Sequence, residues 1–294
     1  MRILTLVGVV GGLLGAACAG TAADGSAALG APAFAHVQDL DGVPDLIVDG
    51  KRLADSWVVY DETFDPGLCS VVEGDVTPGD HRVLRFTVTT PNVGTADVFI
   101  GDPRHHFFDL RDGLYEFASC HNHFHFRHYA TYSLISAPTG QVFRAAKRGF
   151  CMIDVTPWNA DMPPKSWVYR NCGTLTLAGH QGISVGYADT YNKHLGGQYF
   201  VLDGGDGQPA VAPGEYIIRI EVNPGFVAGP GEPCPVLDPA AGLCHNFLES
   251  DYGNNTAEVR ITIPDRTGKK GFGPGADNEA GTEILDDENR PDKT

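Results

Sequence analysis

Histidines alternate with other residues in one short stretch of the chain, and this pattern restricts the local backbone more than any other feature. The stretch reads CHNHFHFRHYATYSL, and His121, His123 and His125 occupy every second position in it. Because successive side chains of a β-strand point to opposite faces, a strand here places all three imidazoles on one face. Phe124 and Phe126 then face the core. The pattern therefore predicts an extended segment with histidines on one side and aromatic rings on the other.

Three neutral imidazoles that converge on one point form a metal site in which some coordination positions stay open. Open coordination is typical of catalytic metal centres, since structural zinc sites use four protein ligands. All-nitrogen ligation suits copper, zinc, nickel or iron, and the number of ligands does not separate copper(II) from zinc. A half-exposed strand that carries histidines by coincidence is the alternative, and the strict alternation, with His128 following, disfavours it. We therefore predict that His121, His123 and His125 bind a metal ion.

Short alternating segments predict further strands through the middle of the chain. They lie at residues 83–89, 125–136, 216–222 and 256–263, and Pro, Gly or Asn residues bound them. No long stretch has helical periodicity. The predicted fold class is all-β: an antiparallel β-sandwich-like core with long irregular loops and little helix.

Both ends of the chain differ from the middle in composition. An apolar run at residues 3–14 follows Arg2, is too short to span a membrane and leads to small residues before Cys18, which is typical of a secretory signal at 1–18. Cys18 resembles the lipid-acceptor cysteine of lipoproteins, and cleavage nearby without a lipid is the alternative. An Ala/Gly/Ser-rich linker is predicted at 19–36 and a disordered acidic tail at 265–294. The catalytic domain is therefore predicted at 37–264 of an exported protein with no transmembrane span.

The formal net charge of the chain is −16. Nucleic acid is excluded as an expected partner, because phosphate binding requires clustered Lys and Arg. An acidic surface instead favours cationic partners through electrostatic steering.

Segments spread along the middle of the chain match one known family in order and with similar spacing, from residue 44 to residue 264. They are PDL from Pro44, LRF from Leu84, NVGTAD from Asn92, CHNHFH from Cys120, KRGFC from Lys147, QGIS from Gln181, DTY from Asp189, NP from Asn223 and ESDYGNN from Glu249. CHNHFH is similar to the Cys-His-x-His-aromatic-His copper motif of the lysyl oxidases. The chain thus resembles the catalytic domain of that family of copper- and quinone-dependent amine oxidases, in a bacterial-type secreted form.

The resemblance implies a copper ion on His121, His123 and His125 and a lysine tyrosylquinone cofactor made from Lys147 and Tyr191. In the family a lysine attacks an oxidised tyrosine to form this quinone. Peptidyl lysine or other primary amines are then converted to aldehydes, with dioxygen as oxidant and with ammonia and hydrogen peroxide as products. Without the resemblance, Lys147 is an ordinary solvated lysine and Tyr191 an ordinary packing tyrosine.

The base that removes the α-proton of the substrate is not fixed by the resemblance. The family carries a further histidine beyond the copper motif, and Thr131 lies nearest to that position here. We predict that His128 takes this role. A surface residue of the strand is the alternative for His128.

The segment ESDYGNN also resembles the family's structural calcium site, which the start of the domain completes. Its two carboxylates and two amides are hard oxygen donors of the kind that calcium prefers. An acidic turn is the alternative. The predicted ligands are Asp45, the Leu46 carbonyl, Glu249, Asp251, Asn254 and Asn255.

Six cysteines remain besides Cys18, and an even number in an exported protein predicts disulfides. The predicted pairs are Cys120–Cys172 and Cys69–Cys151, from the resemblance, and Cys234–Cys244, from their closeness in a Pro/Gly-rich insert. The first pair matches a bridge that anchors the family's copper strand. The second joins two cysteines whose family partners are each missing, and the third closes a local loop.

Two other functions stay open at the level of sequence. One is a non-catalytic copper-binding or adhesion module with the same fold, which the presence of both Lys147 and Tyr191 disfavours. The other is a three-histidine zinc hydrolase that uses a bound water, which leaves that pair unexplained. Ala118 replaces a histidine of the animal enzymes, so the natural amine substrate is not determined.

Overall fold

The computed structural model describes residues 42–158, 168–230, 232–267 and 270–276. The predicted signal segment, linker and Cys18 lie outside the described residues, so these assignments stay predictions. Among the described residues, no helix is long and apolar enough to cross a membrane.

Strands form most of the regular structure, which confirms the predicted all-β class with little helix. The strands are β1 Val58–Phe64, β2 Gly79–Arg85, β3 Val88–Pro91, β4 Val98–Gly101, β5 Tyr115–Ala118, β6 His123–Phe126, β7 Ala130–Ser136, β8 Val142–Arg144, β9 Thr156–Pro157, β10 Gln181–Ile183, β11 Tyr187–Tyr191, β12 Tyr199–Val201, β13 Gly214–Val222, β14 Val236–Asp238, β15 Leu243–His245 and β16 Thr256–Ile263. The helices are α1 Gly50–Ser56, the one-turn α2 Cys69–Val72, a π-helix His105–Leu110 and a 3-10 helix Tyr252–Asn254.

The strands pair antiparallel in several small sheets around one large hydrophobic cluster and two smaller ones. The largest sheet of the described residues has the strand order β16–β13–β7–β8. Along β13 the core-facing residues Tyr216, Ile218 and Ile220 are buried and alternate with more accessible ones. The strands predicted at 216–222 and 256–263 are thus confirmed.

The strand predicted at 83–89 is interrupted, because β2 ends at Arg85 and β3 begins at Val88. Arg85 is fully buried and forms a two-point ion pair with Glu62, with both N–O distances 2.8 Å. Its Nη1 also donates to the carbonyls of Lys193 and Leu195, at 2.9 and 2.8 Å. The buried guanidinium therefore fixes the loop that follows β11, the strand that ends at Tyr191.

The alternating histidines do not all lie on one strand, which corrects the prediction. β5 and β6 form a hairpin, and His121 lies in its turn rather than in β6. Asn122 next to it has φ 56°, a left-handed conformation that asparagine tolerates better than most residues. Phe124 and Phe126 are fully buried, as predicted. The turn changes the backbone direction at His121 without moving its ring away from the other two.

Residues 270–276 lie in the segment predicted to be a disordered tail, yet they pack on β1. Val59 and Phe272 exchange backbone hydrogen bonds of 2.8 and 2.7 Å. Lys193, an ordinary surface charge in the sequence, is buried and donates from Nζ to the Gly275 carbonyl at 2.5 Å. The ordered part of the chain therefore reaches beyond 264, and the prediction for residues 277–294 falls outside the described residues.

Two of the three predicted disulfide pairs are wrong. The structure joins Cys69 to Cys120, Cys151 to Cys172 and Cys234 to Cys244, with Cα–Cα distances of 5.6, 5.4 and 5.2 Å. Only the last pair confirms the prediction; Cys120–Cys172 and Cys69–Cys151 are not formed.

The buried side chain of Gln181 explains one of the corrected pairs. It accepts a hydrogen bond from the Met152 amide at 3.1 Å and donates to the Cys172 carbonyl at 3.0 Å. These bonds hold the segment after Cys151 beside Cys172. Cys120 is left in the turn of the β5–β6 hairpin, where α2 reaches it through Cys69.

Candidate active site

The β5–β6 hairpin carries the three histidines at the end of the core. The fully buried rings of Phe124 and Phe126 anchor β6, and Phe126 exchanges backbone hydrogen bonds of 2.6 and 3.0 Å with Phe150. The chain that contains Lys147 is thereby fixed antiparallel to the histidine-bearing strand β6.

The imidazoles of His121, His123 and His125 converge. One ligand nitrogen from each lies within 4.8 Å of the others, and the Nε2 atoms of His123 and His125 are 3.0 Å apart. His123 is fully buried and His125 nearly so. Among the described residues this is the only group of three or more His, Cys, Asp or Glu side chains with such geometry. The predicted metal ligands are therefore brought together.

Glu73 is a member of this site that sequence reasoning missed. Its Oε2 lies 3.3 Å from Nε2 of His121. Burial favours a higher pKa for the Glu73 carboxyl, but the hydrogen bond from His121 and the nearby charges, Lys147 among them, outweigh it and lower the pKa. The Cys69–Cys120 disulfide brings α2, and Glu73 after it, against the hairpin turn. Knowing that Cys120 pairs with Cys69 would therefore have placed Glu73 at the site.

Gly149 lets the chain pass close to the ring of His125, one of the predicted metal ligands. A Cβ placed at this position would lie 2.6 Å from both Cβ and Nδ1 of His125, closer than non-bonded atoms approach. Only glycine fits without moving the imidazole. The KRGFC segment and the histidine group therefore form one packed unit.

Lys147 and Tyr191, which lie 44 positions apart in the chain, are neighbours in space. The Lys147 Nζ lies 4.9 Å from the centroid of the Tyr191 ring and 5.7 Å from that of Phe150. Both residues are buried, and the Tyr191 hydroxyl donates to the Cys151 carbonyl at 2.8 Å. The backbone amide of Lys147 donates to the Gly197 carbonyl at 2.8 Å. The amine and the phenol that the resemblance pairs are thus held side by side.

A cavity of about 580 Å³ gives access to this arrangement. His121, His125, Lys147, Glu73 and His128 are among its lining residues. It therefore joins two of the three predicted metal ligands, the predicted cofactor lysine and the predicted base in one space.

His128 lies at this cavity and is not part of the convergent histidine group. Partial burial, and then the charge of Arg127, lower the pKa of its imidazole, while Glu116 opposes the shift. A lowered pKa keeps the ring neutral near pH 7, and the neutral ring is the form that accepts a proton. Thr131 lines a different cavity. The position of His128 is compatible with its predicted role, which stays a prediction.

Glu249 is the centre of the predicted calcium site. Its carboxylate accepts hydrogen bonds from the Leu46 amide at 2.5 Å, from Asn223 Nδ2 at 2.7 Å and from Asn255 Nδ2 at 2.9 Å. Burial raises the pKa of Glu249 to about 8, although these hydrogen bonds oppose the shift. A carboxylate in such surroundings gains stability from a nearby cation.

The other predicted calcium ligands do not all contact Glu249. Asn254 Nδ2 donates to Asp45 at 3.0 Å. The buried Oδ1 atoms of Asn254 and Asn255 make no hydrogen bond to the described residues, and amide oxygens are among the donors that calcium prefers. Asp251 instead caps the 3-10 helix, accepting from the Gly253 amide at 2.7 Å. The structure therefore places Leu46 and Asn255 against Glu249 and Asn254 against Asp45, while Asp251 has a local capping role, and the calcium site stays a prediction.

Comparison with known proteins gives one consistent result. Residues 69–230 match the sequence model of the lysyl oxidase family. The chain is 30% identical over 236 residues to the protein-lysine 6-oxidase of Sus scrofa, which covers 75% of this chain and 78% of that protein. It is 29% identical over 233 residues to lysyl oxidase homolog 1 of Homo sapiens, covering 75% of this chain and 33% of that protein. The chain thus spans about a third of the length of this second relative.

Proposed function

This chain belongs to the lysyl oxidase family, and on that basis we propose that it is a copper-dependent amine oxidase. It converts peptidyl lysine or other primary amines to aldehydes and uses lysine tyrosylquinone, made from Lys147 and Tyr191, as its organic cofactor. The observation that carries the proposal is the 4.9 Å distance between the Lys147 Nζ and the Tyr191 ring, beside the three histidines. A copper-holding module without activity, or a zinc hydrolase, has no need of this contact.

The residues fit a copper ion. His121, His123 and His125 offer one nitrogen each within 4.8 Å of one another, and imidazole nitrogen is a preferred donor to copper. Three protein ligands leave positions for small molecules, as a catalytic centre requires. When bound there, copper with dioxygen supplies the oxidising power that the Tyr191 phenol needs for conversion to a quinone.

The other residues of the cavity prepare the reactants. The backbone bond from Lys147 to Gly197 and the packing of Phe150 against Tyr191, with ring centroids 5.3 Å apart, hold the amine against the phenol. Glu73, Asp75 and Glu116 line the cavity together with Lys147, Arg127 and Arg148, and these carboxylates offer hydrogen-bond acceptors to the ammonium group of a substrate.

Neutral His128 accepts the proton from the carbon next to the substrate nitrogen. Water supplies the oxygen of the aldehyde, the amine nitrogen leaves as ammonia, and dioxygen takes up two electrons and two protons as hydrogen peroxide. The balance of the reaction thus needs only the amine, water and dioxygen.

Purified, copper-loaded protein is expected to release hydrogen peroxide when a primary amine such as butylamine is added. Because the quinone carbonyl is electrophilic, phenylhydrazine is expected to stop this release and to produce a visible chromophore. A coupled peroxidase assay and an absorbance spectrum measure both effects. Copper-loaded protein that gives neither peroxide nor chromophore contradicts the proposal.

We also propose that calcium bound around Glu249 stabilises the fold. The site joins the segment that contains Asp45 and Leu46 to the start of β16, away from the histidines. Its role is therefore structural and independent of turnover.

Calcium is expected to raise the thermal unfolding temperature of the wild-type protein. At a concentration of 100 times Kd the gain is about 2.7 kcal/mol, since the ligand binds the folded state alone. In Glu249→Gln the calcium response is expected to disappear, because the carboxylate charge is lost, whereas Glu221→Gln on β13 is expected to keep it. Scanning calorimetry with and without a chelator measures this; equal calcium shifts in both variants exclude a site at Glu249.

The signal-like segment at 1–18 and the disulfides support an exported protein. We propose a secreted or cell-surface location, with cationic, lysine-containing proteins as substrates. A lipid on Cys18 stays a prediction.

A further inference from the structure

A second cavity of about 640 Å³ adjoins the candidate active site, and the proposed chemistry does not use it. Its walls include Leu114, Phe226 and Val227 together with three prolines, Pro224, Pro233 and Pro235. Val227 is 80% exposed to solvent. An exposed apolar side chain in a concave apolar surface is typical of a binding site.

Backbone hydrogen bonds and a disulfide hold the segments that line this cavity. Phe226 and Cys244 exchange backbone hydrogen bonds of 2.9 and 2.8 Å, and the disulfide from Cys244 to Cys234 closes the loop on the other side. Proline has a fixed φ, so the lining segments lose little conformational freedom when a ligand binds. The surface is therefore formed before a ligand arrives.

The second cavity adjoins the active-site cavity at one shared residue. His128 lines both of them. Arg127, which lines the first, donates its backbone amide to the carbonyl of Leu114, which lines the second, at 2.9 Å. A ligand that places an amine at Lys147 and continues past His128 enters the apolar cavity.

Charge and polarity together specify the ligand. At the first cavity Glu73 and Glu116 are accompanied by Arg127 and Arg148, whereas the described lining of the second cavity has two acidic side chains, Asp112 and Glu232, and no Lys or Arg. These favour a cationic molecule, while the apolar walls favour hydrophobic side chains. A free small amine fills only the first cavity. A lysine within an extended polypeptide fills both.

We propose that the second cavity binds the polypeptide beside the target lysine, in an extended conformation with apolar residues facing Phe226 and Val227. The inference rests on the proposed amine oxidase activity and narrows its substrate class to peptidyl lysine with an apolar flank. A second copy of the chain, or its own residues before 42, are the competing occupants.

The test uses Val227→Glu, with Val142→Glu on β8 as the matched control, since Val142 is 54% exposed and lines neither cavity. The substrates are butylamine and an acetylated decapeptide with a central lysine flanked by valine and proline. In Val227→Glu the ratio of kcat/KM for the peptide to that for butylamine is expected to fall about tenfold, because a carboxylate replaces an apolar contact. In Val142→Glu the ratio is expected to stay at its wild-type value.

Binding of the same peptide, labelled with a fluorophore and measured by anisotropy on the copper-loaded protein, gives a readout independent of turnover. Weaker binding in Val227→Glu than in Val142→Glu supports the subsite even if no amine releases peroxide, in which case only the proposed activity fails. Equal peptide binding and equal kcat/KM ratios in the two variants overturn the inference. So does a change of oligomeric state in Val227→Glu, seen by gel filtration, with peptide binding unaltered; the cavity then holds a second copy.

Discussion

Replacing Lys147 with alanine, or Tyr191 with phenylalanine, is expected to reduce amine-dependent peroxide release to background, a loss on the order of 1,000-fold or more. The first change removes the amine that lies 4.9 Å from the Tyr191 ring centroid, and the second removes the phenol oxygen that must become a quinone carbonyl. Neither variant is then able to form the cofactor. Peroxide release, the phenylhydrazine chromophore and mass spectrometry of proteolytic peptides measure the effect, since wild-type protein is expected to contain a cross-linked peptide that both variants lack.

Matched controls separate this chemistry from loss of folding. Lys51→Ala removes an exposed lysine, and Tyr216→Phe removes a hydroxyl that, like that of Tyr191, donates to a backbone carbonyl at 2.8 Å. Both are expected to keep full activity and the cross-linked peptide. Undiminished peroxide release in the Lys147 or Tyr191 variant, with circular dichroism unchanged, is incompatible with a cofactor built from this pair.

The parts of the site that follow local rules were predictable from the sequence. Period-two alternation predicted that Phe124 and Phe126 are buried and that the neighbouring histidines converge. His121 nevertheless lies in a turn, because Asn122 takes a left-handed conformation that alternation alone does not reveal. Side-chain convergence was thus easier to predict than the backbone path that produces it.

Long-range partners were not predictable in the same way. Cys120 had several possible partners. Pairing it with Cys172 by resemblance gave no reason to expect α2, which begins at Cys69, beside the histidines. The observed bond to Cys69 places Glu73 3.3 Å from His121. Similarly, the burial of Arg85 depends on Glu62 and on carbonyls more than 100 residues away in the chain, which no local pattern indicates. The missing information in both cases is which distant segments meet.

Replacing His123 with alanine is expected to lower the affinity for copper by at least about 100-fold, more than the loss of a residue that only orients a ligand. His123 is fully buried and its Nε2 lies 3.0 Å from that of His125, so water does not replace the lost nitrogen at the same place. Copper per chain after dialysis, together with competition against a chelator of known affinity, measures the change. Peroxide release and the cross-linked peptide are expected to disappear together, since both depend on copper in the proposed chemistry.

The control for this variant is His105→Ala. His105 lies on the π-helix, is exposed, and its side chain forms an ion pair with Asp109 rather than contacting the three histidines. It is expected to bind copper as the wild type does. Retention of one copper per chain with wild-type affinity in His123→Ala rules out the three-histidine site.

Loading the wild type with zinc tests the remaining alternative, a zinc enzyme: a redox-inert ion at the same nitrogens is expected to leave Lys147 and Tyr191 unlinked and the protein colourless. If zinc-loaded protein forms the cross-link and oxidises amines as well as copper-loaded protein does, a metal ion on the three histidines is not the oxidant. The cross-link between Lys147 and Tyr191 must then form by another reaction.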